Sequence, residues 1–372
     1  MRILAGIPEK GSRGGSTACE PPFIQELRRL GHAVEEEVYS YAEAQATLAN
    51  RAQRVLRTAK RFRQCVRSGA FDIVHINTSF DTNALLRDAV IVPRLQTGGA
   101  KIFLKFHGSD AELLKTKNLA LARLRHQLFA RADGIGVLSS EERANFLRGG
   151  VPEERVFQVN NVVERNTRGH NPKFAEQTAL PSDLPLLLFI SRFVLGKGLL
   201  DVIRACALLR DRGQKFLLIC VGDGPERPDA EREVECLNLR DRIRFFGYVP
   251  EEQAADFYAN STMLIFASYL YEGFPMVIFN AAAAGLPIIT TRIRAAADYL
   301  NEPDNCFWVE PQNPDSLARN ITTLLENEEL RSRMSTNNRK LGNRFSAEIV
   351  TPEYLTVYEK LLGERRGEKV TV

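Results

Sequence analysis

Arg192 and Lys197 stand five positions apart in Ser191-Arg-Phe-Val-Leu-Gly-Lys-Gly198, on either side of a turn that leads from an apolar run into a helical pattern. Two cations so placed can grip one diphosphate from two sides. The plainer reading, a solvated Arg and Lys at a helix start, sets both against the helix dipole. Further on, Glu272 precedes Gly273-Phe-Pro-Met-Val277, and Pro275 falls near the first position of a helix, where its missing N–H costs nothing. The N–H groups of Gly273, Phe274, Met276 and Val277 then make the donor end of that helix, a ready place for an anion. A carboxylate just ahead of it can hold sugar hydroxyls while the helix end holds phosphate. His107 is the third candidate, delivered with Gly108-Ser109-Asp110 at the end of the apolar run 101–106. A lone histidine can be merely structural, but ligands of open α/β sheets sit beyond the C-terminal ends of strands. Asn77 ends the run Phe71-Asp-Ile-Val-His-Ile-Asn77 in the same way.

The elements that must position these groups alternate. Residues 2–7 read as a strand, followed by the loop Glu9–Ser16, EKGSRGGS, a helix over 19–30 closed by Gly31, and a strand over 33–38. Gly14-Gly15 can bring bare backbone N–H groups to a phosphate, although the loop has neither a G-x-G-x-x-G nor a Walker lysine. Further strands are expected at 71–77, 101–106, 132–138 and 155–159, with long helices at 50–67 and 113–131. Ser139 and Glu142 form a capping box. Residues 166–185 lack periodicity and read as a linker between domains over 1–165 and 186–346. The alternation restarts at 186–190. The run 216–221 leads into Gly222-Asp-Gly224-Pro, and 242–246 into Gly247-Tyr248. Helices are expected at 314–326, 329–341 and 346–362, with a frayed tail beyond.

With 372 residues, 44% hydrophobic and 26% charged, the chain suits two soluble α/β domains. No apolar run approaches the roughly 18 residues of a membrane span. The opening residues are too short for a signal sequence. Six scattered cysteines without a C-x-x-C pair argue for reduced thiols in the cytoplasm and against a zinc site. The net charge of +4 is uneven: residues 1–165 hold 25 Lys and Arg against 18 Asp and Glu, and the remainder 25 against 28. A basic first half suits an anionic partner, or is an ordinary surface imbalance. In 50–67, seven basic and no acidic side chains share a helix with Val55, Leu56, Ala59, Phe62 and Val66 on one face. This is a pattern of membrane-surface helices, and equally of a helix packed on a sheet with its charges in water. No recognition motif accompanies the basic helices, so nucleic acid is not the expected partner.

Glu272, seven residues and Asn280, followed by AAAAGLPII, resemble the signature segment of the group 1 (GT4-type) retaining glycosyltransferases, in which two glutamates eight apart hold the nucleotide sugar. Asn280 replaces the second. The likeness extends over nearly the whole chain: the Gly14-Gly15 loop, Gly31-His32, the His107 position, the Arg-plus-Lys-Gly segment at 192–198, the Gly222-Asp-Gly-Pro turn, Gly247-Tyr248 and the C-terminal Tyr358-Glu-Lys-Leu-Leu362. Departures are Asn77, where the family usually has histidine, and Arg294-Ala295, where it has glycines.

The resemblance implies a GT-B fold: two Rossmann-like domains with a cleft between them, and a C-terminal helix (347–364) crossing back to the first. Gly14, Gly15, Arg192, Lys197, Gly222, Tyr248, Glu272, Gly273 to Val277 and Asn280 would bind a nucleotide-diphosphate sugar. His107, Glu272, Arg192 and Lys197 would carry catalysis, and Asn77 with His107 would face the acceptor, a lipid-linked glycan or a polysaccharide. No Asp-x-Asp pair occurs, so no metal or other cofactor is expected; cations and a helix end would take the leaving charge. Asn280 offers no charge to a ribose, which predicts weaker donor binding by roughly 1 kcal/mol. Two rivals stand beside the hexosyltransferase: a non-catalytic nucleotide-sugar-binding subunit and an epimerase. The expected location is the cytoplasm, or its membrane face through helix 50–67.

Overall fold

The computed structural model describes residues 1–9, 15–41, 47–95, 99–164, 171–181, 183–270 and 272–367, without the side chains of 15, 16, 48 and 364–367. Two compact units emerge: Met1–Val162, Tyr271–Phe274 and Ala347–Val372 form the first, Val163–Leu270 and Pro275–Ser346 the second.

The first unit carries β1 (Arg2–Pro8), α1 (Gly15–Arg29), β2 (Ala33–Ser40), α2 (Leu48–Ser68), β3 (Ile73–Phe80), α3 (Thr82–Ile91), β4 (Lys101–Ser109), α4 (Ala111–Leu114), α5 (Leu119–Arg131), β5 (Gly134–Val137), α6 (Ser140–Arg148) and β6 (Val156–Gln158). Its sheet is parallel, in the order β2-β1-β3-β4-β5-β6. β3 and β4 are buried along almost their whole length, as strands covered on both faces must be. Strand order reverses between β1 and β3, the place where open sheets leave a crevice.

The second unit carries α7 (Phe174–Thr178), β7 (Leu186–Ile190), α8 (Leu199–Asp211), β8 (Leu217–Val221), α9 (Arg227–Cys236), β9 (Ile243–Gly247), α10 (Glu251–Asn260), β10 (Met263–Phe266), α11 (Met276–Ala284), β11 (Ile288–Thr290), α12 (Arg294–Tyr299), β12 (Cys306–Trp308), α13 (Pro314–Glu326) and α14 (Glu328–Asn343). Its order, β9-β8-β7-β10-β11-β12, is the Rossmann arrangement 3-2-1-4-5-6 counted within the unit, with the reversal between β7 and β10. The last helix, α15 (Ala347–Gly367), belongs to the first unit and packs on α1.

One expectation is corrected. The long helix at 113–131 is two helices, because Asp110 caps α4 and Asn118 caps α5 through the N–H groups of Ala120 and Leu121. Within 166–185, α7 docks Phe174 edge-on to Phe257 of α10, so this stretch is in part structured. The far end of the tail, 368–372, lies outside the described residues.

Candidate functional site

In the second unit the turns beyond β7, β8 and β9 are laced together by backbone. The N–H of Ser191 donates to Val221 O, that of Phe193 to Asp223 O, that of Gly222 to Gly247 O and that of Glu226 to Phe193 O. Only glycine fits two of these places. A Cβ on Gly222 (φ +134°) would lie 1.8 Å from the Ser191 carbonyl oxygen, and one on Gly198 (φ +81°) 2.5 Å from that of Ala267. Lys197 sits in the turn so fixed, 6% exposed, with Nζ 5.4 Å from the centroid of the Phe266 ring. Arg192, at the start of the same turn, is exposed. Both cations therefore stand at the strand-order reversal, and Tyr248 is exposed beyond β9 on the same edge.

The signature segment folds as a loop and helix. Pro275 is the N-cap of α11, one place earlier than the first helical position expected, and Gly285 closes the helix at φ +79°. Met276 and Val277 form its first turn, while Gly273 and Phe274 precede it. Residues 271–274 fall with the first unit, where a Cβ on Gly273 would lie 2.9 Å from the His107 carbonyl oxygen and 3.0 Å from Glu142 Oε2. That close approach brings half-buried Glu272 near the end of β4. Gly15 opens α1, and Gly14 lies outside the described residues.

Asn280 has a partner that its sequence neighbourhood does not suggest. Its Nδ2 donates to Glu251 Oε1 at 2.8 Å, so α10 supplies a carboxylate beside it. Burial raises the Glu251 pKa, the Asn280 hydrogen bond opposes that and Glu164 adds to it. Asn280→Glu therefore sets two carboxylates together and removes a donor. The variant is expected to lose on the order of 1 kcal/mol at pH 8 and to recover as falling pH lets the pair take up a proton. Thermal melting at pH 8 and pH 5 checks this; equal losses at the two would show that the two side chains do not interact.

In the first unit, α1, β3, β4 and α15 bury a polar network under His107. Lys105 Nζ bonds Glu20 Oε1 at 2.8 Å, each side chain only 2% exposed. The ammonium lies 5.9 Å from the Phe23 ring and 5.4 Å from that of Tyr354. His107 Nε2 meets Asn77 Oδ1 at 2.9 Å, and His75 Nε2 meets the same oxygen at 3.3 Å. The Tyr358 hydroxyl oxygen lies 2.5 Å from His75 Nδ1. Cys19, Glu20 and His107 bring one donor atom each within 4.8 Å of one another, but Lys105 already neutralises that carboxylate.

These environments shift every titrating group. Burial lowers the His75 pKa to about 4. Burial and then Lys105 lower that of His107 to about 3. Burial opposes ionisation of Glu20, yet Lys105, helped by both histidines, outweighs it and holds the pKa at about 2. In the unfolded chain histidine takes up a proton below about pH 6.5 and glutamate below about 4.3. The folded state thus binds fewer protons, and its stability falls as pH drops from 6.5 towards 3. A loss of a few kcal/mol is expected over that range, read as a falling melting midpoint. A midpoint flat from pH 7 to 4 would contradict it.

Sequence reasoning reached His107, Asn77, Arg192, Lys197 and Glu272, and passed over Glu20, His75, Lys105 and Glu251. A signal existed for Lys105: a lysine inside Ile-Phe-Leu-Lys-Phe, two places before His107, shares its face of the strand. No local pattern marked Glu20 or Glu251.

Two parallel sheets of this topology, with polar groups gathered at strand-order reversals, define a GT-B α/β protein. The chain belongs to the group 1 glycosyltransferases, a transferase family: the profile described as glycosyl transferases group 1 matches 170–341, and that of the glycosyl transferase 4-like domain matches 14–161. Over 391 residues, spanning all of both chains, it is 24% identical to the N-acetyl-alpha-D-glucosaminyl L-malate synthase of Bacillus anthracis. It is 27% identical over 182 residues to a capsular polysaccharide biosynthesis glycosyltransferase of Staphylococcus aureus, covering 48% of this chain and 47% of that one. The chain spans about half the length of several of the curated relatives it matches. The fold is also that of Anabaena HepE, solved in complex with UDP-glucose, with a TM-score of 0.75 and 18% identity over 99% of this chain and 100% of that one.

Proposed function

We propose that this protein is a retaining glycosyltransferase that moves a hexose from a nucleotide-diphosphate sugar to a lipid-linked or polysaccharide acceptor, without a metal. The observation that carries the reading is the glycine-laced edge of the second unit, which holds Lys197 and Arg192 at the strand-order reversal. Cations held there take the charge of a departing diphosphate, and the first turn of α11 adds backbone donors. Glu272 holds a sugar hydroxyl in this scheme. The HepE complex makes UDP the first nucleotide to try. The rival binding subunit loses part of its motive, since Glu251 stands beside Asn280.

A second feature bears on the acceptor. α2, α3 and α5 form one helical layer of the first unit. Leu56, Leu86 and Leu119, on these three helices, are 59%, 48% and 86% exposed. On α2, Leu56, Lys60, Arg63 and Arg67 follow i, i+4, i+7, i+11 and form one exposed stripe. Among the described residues Arg61 alone of α2 reaches a carboxylate, Glu37 at 3.1 Å. No described helix is long and apolar enough to cross a membrane. Cations with apolar prominences suit the surface of an anionic leaflet, where each is worth about 1 kcal/mol, and a lipid-linked acceptor would be met there. Salt-sensitive sedimentation with anionic but not neutral vesicles is expected, and equal sedimentation with both would remove this part of the reading.

The deciding experiment is thermal stabilisation by UDP-, GDP-, ADP- and TDP-sugars with EDTA present. A ligand at 100 times its dissociation constant stabilises by about 2.7 kcal/mol. Stabilisation by one nucleotide, lost in Arg192→Ala, supports a metal-free donor site, and transfer to candidate acceptors then follows. No stabilisation by any of them would overturn the proposal.

A further inference from the structure

We propose that Asn77 is a positioning residue that fixes the tautomer of His107, so that His107 presents its Nδ1 as a hydrogen-bond acceptor for a hydroxyl group. The identity of that hydroxyl as a sugar's rests on the transferase reading; the tautomer rests on geometry alone. Asn77 is 3% exposed, and its Nδ2 lies 3.2 Å from Gly6 O. A carbonyl oxygen only accepts, so the amide nitrogen must be the atom facing it, and the orientation of the amide is set. Oδ1 then faces Nε2 of His107 at 2.9 Å and Nε2 of His75 at 3.3 Å. This oxygen has no proton to give, so each imidazole must carry its hydrogen on Nε2. A neutral imidazole has one such hydrogen, which leaves a lone pair on each Nδ1.

For His75 the deduced tautomer fits its other contact: with Nδ1 unprotonated, the Tyr358 O–H 2.5 Å away is the donor to it. For His107, no described residue hydrogen-bonds Nδ1, and the side chain is 15% exposed. The charged and titrating groups around the pair are Cys19 and Glu20 from α1, Lys105 from β4, and Tyr354 and Tyr358 from α15. Lys105 is a fixed positive charge in the same buried space, so a second cation on His107 is disfavoured. A neutral His107 accepts from a hydroxyl and offers a phosphate nothing. A side chain at 77 that could itself turn or take a proton would not hold this choice; an amide anchored on Gly6 does.

The test is long-range proton–nitrogen correlation of the full chain labelled with 15N-histidine. Five imidazoles are present, and His107→Gln assigns the one in question. The expected result is a neutral His107 with its proton on Nε2 at pH 7. In Asn77→Ala both tautomers should be populated. In Asn77→Asp, which keeps the shape and adds a charge, His107 should protonate at least one pH unit higher, and transfer activity should acquire a matching pH dependence. If the alanine variant does not fold, the aspartate variant still decides. A wild-type His107 protonated on Nδ1, or a His107 spectrum unchanged in the variants, would overturn the proposal. Absence of any sugar transfer would count against the transferase reading and leave the tautomer result standing or falling by itself.

Discussion

Lys197→Met is expected to lower kcat about 100- to 1000-fold, the usual cost of removing one preorganised group from a developing anion. Methionine nearly matches the length of the lysine stem, so packing against Phe266 is largely kept and the charge alone is lost. That charge sits 5.4 Å from the Phe266 ring in a turn where the side chain is 6% exposed. A cation so little hydrated interacts with a diphosphate more strongly than a surface lysine does. Because the diphosphate gains charge as the sugar leaves, the loss should fall more on kcat than on affinity for the nucleotide sugar. Steady-state kinetics with the donor found by thermal stabilisation, beside a direct measurement of donor binding, makes the comparison. A fall of less than tenfold in kcat, or an equal fall in both quantities, would show that Lys197 does not carry the leaving-group charge. Lys197→Arg is a poor control, since a planar guanidinium does not replace a compact ammonium in so tight a turn.

Gly222→Ala should have the largest effect on stability. Alanine at φ +134° is strained by about 1–3 kcal/mol before any contact is counted. Its Cβ would also lie 1.8 Å from Ser191 O, a backbone atom that cannot swing aside. Relief requires the turn beyond β8 to part from the turn beyond β7, which breaks the bonds from Ser191 to Val221 and from Phe193 to Asp223. A loss above about 3 kcal/mol corresponds, for a unit of this size, to a fall of roughly 6–12 °C in the melting midpoint. Affinity for the nucleotide sugar should fall with it, because Arg192 and Lys197 ride on the displaced turn. Gly31→Ala is a useful comparison: that glycine also has positive φ, at +83°, but a Cβ there meets nothing within 4 Å. It should cost only the backbone strain. Equal melting points for the two variants would mean that the interlocked turns are not what holds the edge.

The alternation of apolar runs with helical patterns sufficed to read two parallel α/β units, because strand and helix periods are local properties of the chain. Helix ends were equally legible where one residue type decides them: Gly285 takes the left-handed conformation, and Ser139 caps α6 on Glu142 N–H. The cation pair at 192 and 197 could be read as well, since its spacing is a feature of one turn. The break between α4 and α5 was missed although Asp110 and Asn118 are local, because basic and apolar residues run on across it and mask the caps. What no stretch of sequence contains is which buried polar groups meet. Lys105 and Glu20 are 85 residues apart, His107 and Asn77 30, Asn280 and Glu251 29. Each pair is set by strand order and by which helix crosses which strand, and a buried donor must find an acceptor among the groups that the fold brings to it. Residue types and spacing thus named the chemistry at the strand ends. Only the tertiary structure decided that Asn77 lies beneath His107, that a carboxylate from α10 stands beside Asn280, and that burial, with a lysine in the same space, keeps the neighbouring imidazoles neutral.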